Sequence, residues 1–192
     1  MDDIKHSIGI LAIILTFVGY IPYIRDIRNG KTKPHVYSWF LWFSVTMIVF
    51  ALQLSDGAGI GAFVTLAAAI IAFVIFLFGM RIGKKDIAKS DNVCLALAVI
   101  ATILWLFADQ PVLSVILLSA IEIFAFIPTI RKSWNNPYSE TLSAYALNTV
   151  RFVLALMALQ NYSIITTLYP AVWLVANGGF SIILILRRRA LQ

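Results

Sequence analysis

Apolar positions fall along this chain in long unbroken runs, not in alternating or amphipathic stripes. Positions 8–24, 36–54 and 60–80 each hold a run near the roughly 20 residues a helix needs to cross a bilayer. Polar residues gather in the short breaks between runs. The pattern predicts seven helices, over about 7–25, 35–54, 58–80, 92–108, 111–130, 140–160 and 163–186. Backbone facing lipid must satisfy its own hydrogen bonds, so every span is expected to be helical.

Charge then orients the spans. Arg25, Arg28, Lys31 and Lys33 follow the first helix, and Arg81, Lys84, Lys85 and Lys89 follow the third. Arg131 and Lys132 follow the fifth, and Arg187, Arg188 and Arg189 follow the seventh. The other loops carry Asp2, Asp3, Asp56 and Asp109 with Lys5 alone. Cationic loops stay on the cytoplasmic side. The N-terminus is therefore expected outside and the C-terminus in the cytoplasm, in a bacterial inner membrane. This topology accounts for the net charge of +6 without a nucleic-acid surface, since the charges are spread over separate loops.

Composition agrees. Of 192 residues, 61% are hydrophobic and 12% charged, against about a quarter charged in soluble domains. Few residues remain outside the spans, so no separate catalytic domain is expected. The single cysteine, Cys94, sits in an apolar run and reads as a small buried hydrophobe. Met1-Asp2-Asp3 lacks a positive n-region, so the first helix is expected to be retained, not cleaved.

The chain also repeats itself. Ile21-Pro22-Tyr23-Ile24-Arg25 aligns with Ile127-Pro128-Thr129-Ile130-Arg131 at an offset of 106 residues. The same offset pairs Asn29 with Asn135, Leu41 with Leu147 and Arg81 with Arg187. Helices 1–3 and 5–7 are thus expected to be equivalent units, with helix 4 left over. Three is odd, so a direct fusion would insert the second unit upside down, and helix 4 restores a parallel orientation. The expected fold is all-α: seven transmembrane helices as two parallel three-helix bundles, 1–85 and 111–192, joined by a linker helix within 86–110. Pro22 and Pro128 lie near the ends of helices 1 and 5. A proline inside a helix removes a backbone hydrogen bond and kinks it. Apolar residues continue after both, which favours kinked hinges over simple helix stops.

With these prolines and the short basic loops after them, the chain resembles the PQ-loop superfamily. That group includes SWEET and SemiSWEET sugar transporters, cystinosin-like exporters and KDEL receptors. Tyr23 and Thr129 stand where the glutamine of the PQ pair would be. Asn177, 49 residues after Pro128, matches the helix-7 asparagine of the SWEET sugar site, while the same step from Pro22 reaches Ile71. The resemblance implies a cavity between the two units.

Ionisable residues inside a membrane are functional candidates by default. Glu122 lies in helix 5 and Arg151 in helix 6. At about 1.5 Å of rise per residue, Glu122, Arg151 and Asn177 all fall about 12 to 15 Å from a helix end. Asn148 lies one turn from Arg151. Two readings stand side by side. Glu122 and Arg151 form a buried ion pair that fixes helix packing, or Arg151 receives an anionic substrate while Glu122 couples protons. Their repeat equivalents are Thr16 and Val45, so the charged layer belongs to one unit. Trp42 and Trp173 are candidate cavity walls, whereas Tyr37, Trp134 and Tyr138 suit an interfacial belt.

The expected substrate-binding set is Trp42, Asn148, Arg151, Trp173 and Asn177, with Glu122 as proton-coupling or ion-pair residue and Pro22 and Pro128 as hinges. No motif for a catalytic nucleophile, metal or cofactor is present; His6 is expected near the outer surface and His35 in the first cytoplasmic loop. The expected function is small-solute transport by alternating access, of a sugar, amino acid or organic anion. The alternatives are a non-transporting receptor or scaffold, in which Lys31 and Lys33 would matter more, and a membrane enzyme subunit that binds lipid head groups. The expected partners are a small solute and membrane lipids, and self-association stays open.

Overall fold

The long apolar runs fold as continuous helices. A computed structural model describes residues 2–30, 36–82 and 89–191. These form seven α-helices: α1 Asp2–Arg28, α2 Val36–Ser55, α3 Ile60–Ile82, α4 Lys89–Leu106, α5 Pro111–Asn135, α6 Leu142–Ala158 and α7 Ile164–Ala190. A 3-10 turn, Pro137–Ser139, links α5 to α6. The helix ends lie within a few residues of those expected. Lys31, Lys33, His35, Lys84 and Lys85 lie outside the described residues.

Three helical stretches are long and apolar enough to cross a membrane: Asp3–Arg28, Ile60–Arg81 and Ile164–Ala190. The surface also fits lipid. Ile10, Ile14, Val18 and Ile21 of α1 are exposed, as are Phe124 of α5 and Val175 and Ile182 of α7. Thr16, Thr46, Gln53, Thr65, Glu122, Arg151 and Asn177 are buried instead. Apolar groups outside and polar groups inside invert the usual arrangement for water and suit a hydrocarbon solvent.

Helix contacts follow a regular scheme. α3 packs against both α1 and α2, and α7 packs against both α5 and α6. Further contacts join α1 to α6, α2 to α5, α3 to α6 and α2 to α7. α4 lies mainly on α5 and also touches α2.

Neither Pro22 nor Pro128 stops its helix, for α1 continues to Arg28 and α5 to Asn135. A third proline, Pro170, lies inside α7. It leaves the Thr166 carbonyl, four residues back, without a helical donor. Gln53 of α2 supplies one: its Nε2 donates to that oxygen at 3.0 Å, while its Oε1 accepts from Thr65 of α3 at 2.7 Å.

The end of the bundle holding the N-terminus is tied shut by polar contacts. Lys5 Nζ donates to the Leu159 carbonyl at 2.7 Å and lies over the Tyr162 ring. Asn161 donates to the Asp56 backbone carbonyl at 2.7 Å, and the Ser163 hydroxyl to the Asp56 carboxylate. The same hydroxyl caps α7 by accepting from the backbone of Ile165 and Thr166. Gly59 makes the turn into α3 with φ +62°, a left-handed conformation that glycine adopts without a Cβ penalty. At the other end, Arg187 and Arg188 donate to the carbonyls of Trp134 and Pro137. Their guanidinium groups lie over the exposed rings of Trp134 and Tyr138, an arrangement suited to interfacial aromatics.

Candidate functional site

The midpoints of α5, α6 and α7 bring their polar residues into one buried layer. Each helix is apolar enough to stay in the bundle, so the few polar groups mark its inward face. Glu122 is 2% exposed and Arg151 is 4% exposed.

Glu122 has its oxygens occupied. Its Oε2 accepts from the Trp173 indole Nε1 of α7 at 2.5 Å. Its Oε1 accepts from Thr46 Oγ1 of α2 at 3.3 Å. Thr46 in turn lies 3.4 Å from the Tyr169 hydroxyl. A helix of the first half thus reaches the carboxylate of the second. Charge-assisted hydrogen bonds of this kind are about twice as strong as neutral ones.

Arg151 does not close on Glu122. No salt bridge joins them, and among the described residues no acceptor meets the guanidinium. Its buried Nε–H is unpaired. The guanidinium instead lies over the Phe152 ring, 4.1 Å from its centre. Phe152 is nearly parallel to Trp173, with centres 6.4 Å apart and planes inclined by 11°. The order through space is Arg151, Phe152, Trp173, Glu122. Two aromatic rings therefore stand where a direct ion pair was one of the two expectations.

The other expected residues divide. Asn177 is buried, but its Nδ2 donates back to the Trp173 carbonyl of its own helix at 2.8 Å. Asn148 is half-buried on α6, three residues before Arg151 and so on a shared face. Trp42 belongs to a separate aromatic group in the first half. It meets Trp39 edge to face at 5.0 Å, and Trp39 meets Tyr23 at 5.4 Å. Trp42 keeps a buried indole N–H without a partner. Pro22 and Pro128 each lie about two turns before the end of their helix, which is Arg28 for α1 and Asn135 for α5.

Sequence reasoning missed Thr46 and Tyr169, the two hydroxyls beside Glu122. A lone hydroxyl in an apolar run often bonds its own helix backbone, as Thr16 does to Ala12 at 2.8 Å, so residue type alone does not separate the two uses. Among the described residues no three His, Cys, Asp or Glu side chains converge as metal ligands.

No protein-family model matches the chain, and neither the curated proteins nor the solved structures include a match to it.

Proposed function

We propose that the protein is a small-solute membrane transporter, similar in plan to SWEET-like PQ-loop proteins and working by alternating access. The observation that carries this reading is Arg151: a permanently charged side chain, buried at mid-helix, whose Nε–H meets no acceptor among the described residues. An intramembrane cation without an ion-pair partner among those residues suits a site for a solute.

The helix contacts support a paired-repeat plan. Exchanging α1 with α5, α2 with α6 and α3 with α7 turns each described contact among these helices into another described contact. That exchange symmetry supports two equivalent units about a pseudo-two-fold axis. In parallel-repeat transporters such an axis runs along the membrane normal, with the site near the midplane. The four helices with shorter apolar stretches have 17 to 25 residues, within the range of about 17 to 25 that spans a bilayer. That supports seven spans, with the tied N-terminal end outside and the arginine-rich end cytoplasmic. The two units would rock about the buried layer, with Pro22 and Pro128 as hinges.

The test is uptake and counterflow in liposomes across sugars, amino acids and organic anions. One class should be moved, and Arg151→Ala or Asn177→Ala should abolish its movement. A solute that binds but never crosses would overturn the transporter reading in favour of a receptor. Transport that survives both substitutions would overturn the proposed site.

A further inference from the structure

The two charges of the layer differ in what they have left to offer. Glu122 has a donor on each oxygen and stands behind the Trp173 and Phe152 rings. Both of its oxygens are already engaged, which leaves it the more committed of the two charges. Arg151 is the opposite case: its buried Nε–H has no acceptor among the described residues, and its guanidinium rests on the Phe152 ring. A planar fork matches a carboxylate through two parallel N–H···O bonds.

Charge balance adds a second constraint. Arg151 and Glu122 are one positive and one negative charge in a single buried layer. They are linked through the Phe152 and Trp173 rings and not by a direct bond. A carboxylate bound at Arg151 would leave that layer with an excess negative charge, and uncompensated charge in a low-dielectric interior is expensive. A proton on Glu122 removes the excess. α7 presents Trp173 to Glu122 and α2 the neutral Thr46, with the Tyr169 hydroxyl beside Thr46, while Arg151 of α6 lies beyond the Phe152 and Trp173 rings. α4 carries no ionisable side chain from 95 to 106. Arg151 does not give up its proton.

Resting on the transporter reading, we propose that the solute is a small organic acid whose carboxylate binds Arg151, and that one proton travels with it on Glu122. The stoichiometry balances: one carboxylate and one proton enter the layer together, both leave on the far side, and no net charge crosses.

The test uses the full chain in liposomes with radiolabelled acetate, lactate and benzoate, against glucose, glycine and inorganic phosphate. A monocarboxylate should accumulate under an inward proton gradient and ignore an imposed membrane potential. Arg151→Met, similar in size and uncharged, should weaken its binding about a hundredfold, the scale of a lost charge-assisted pair. Glu122→Gln should still exchange the carboxylate but no longer respond to the proton gradient. Glucose or glycine transport without any carboxylate transport would overturn this inference and leave the transporter reading standing. Carboxylate uptake driven by membrane potential would overturn the proton half alone. Failure to bind or move any of the six solutes would count against both. Because the neutral acids also cross protein-free bilayers, uptake is counted only above that of protein-free liposomes, and on that basis the wild-type panel decides the substrate class even if the variants do not fold.

Discussion

Gln53 donates its side-chain amide to the one carbonyl of α7 that Pro170 strands, at 3.0 Å from the Thr166 oxygen. The contact crosses between the two halves of the chain. In a bilayer no water is at hand to satisfy that carbonyl. Gln53→Leu replaces the amide with an apolar group of similar bulk and so takes away the side-chain partner of the Thr166 carbonyl and the Thr65 hydroxyl. We expect a loss of about 1 to 3 kcal/mol, read as a lower thermal midpoint in detergent. Pro170→Ala restores a backbone donor to Thr166. The double variant should therefore lose less than the sum of the single changes. Strict additivity would show that Gln53 does not serve the proline break.

Trp173 holds Glu122 through one indole N–H while its ring faces Phe152. Trp173→Phe removes the donor and keeps an aromatic body. The expected cost is about 1.5 to 3 kcal/mol, the range for hydrogen bonds to charged groups. Adding Glu122→Gln to this variant should recover part of the loss, because a neutral amide needs the donor less. Thermal denaturation of the four proteins in one detergent measures the coupling. A loss unchanged by Glu122→Gln would place the role of Trp173 in packing alone.

Much of this fold was legible in the runs themselves. Apolar length and charge breaks located seven helices to within a few residues, and the apolar residues after Pro22 and Pro128 correctly argued against helix stops. Partner choice was less legible. Equal depth along neighbouring helices suggested that Glu122 and Arg151 meet, but depth says nothing of rotation about the helix axis, and rotation turns Glu122 toward Trp173 and Thr46. Pro170 was a readable signal: a proline in an apolar run strands a carbonyl four residues earlier, and Gln53 is a polar side chain inside an otherwise apolar span. Which polar group answers which stranded carbonyl depends on how α2 sits against α7, and that register is set by packing between distant segments.

Gly61 and Gly19 are both helical glycines, yet their surroundings differ. A Cβ at Gly61 would stand 3.1 Å from the backbone of Leu159 and 2.7 Å from its Cδ2, whereas one at Gly19 would meet nothing within 4 Å. Small residues permit this kind of close helix approach. Gly61→Ala should destabilise by about 1 to 3 kcal/mol, the usual cost of overpacking, because the Leu159 backbone cannot swing aside. Gly19→Ala should be neutral or stabilise by up to about 1 kcal/mol through helix propensity. Equal midpoints for the two variants would contradict the close contact between α3 and the segment after α6.

The polar tie between Asp56 and the 161–163 segment closes one end of the bundle, so it should govern access there. Ala58 is fully buried beneath it and its carbonyl accepts from the Gln160 backbone at 3.1 Å. Asp56→Ala removes the carboxylate acceptor of Ser163 but leaves Ser163 free to cap α7. With Cys94→Ser as background, Ala58→Cys should react slowly with a membrane-impermeant maleimide. Adding Asp56→Ala should speed that reaction about tenfold, corresponding to ~1.4 kcal/mol of lost closure, within the range of one or two net hydrogen bonds. Lys5→Met should act in the same direction, since it frees the Leu159 carbonyl that Lys5 holds at 2.7 Å. Unchanged labelling in both variants would mean that helix packing alone holds this end closed, and that the polar contacts merely decorate it.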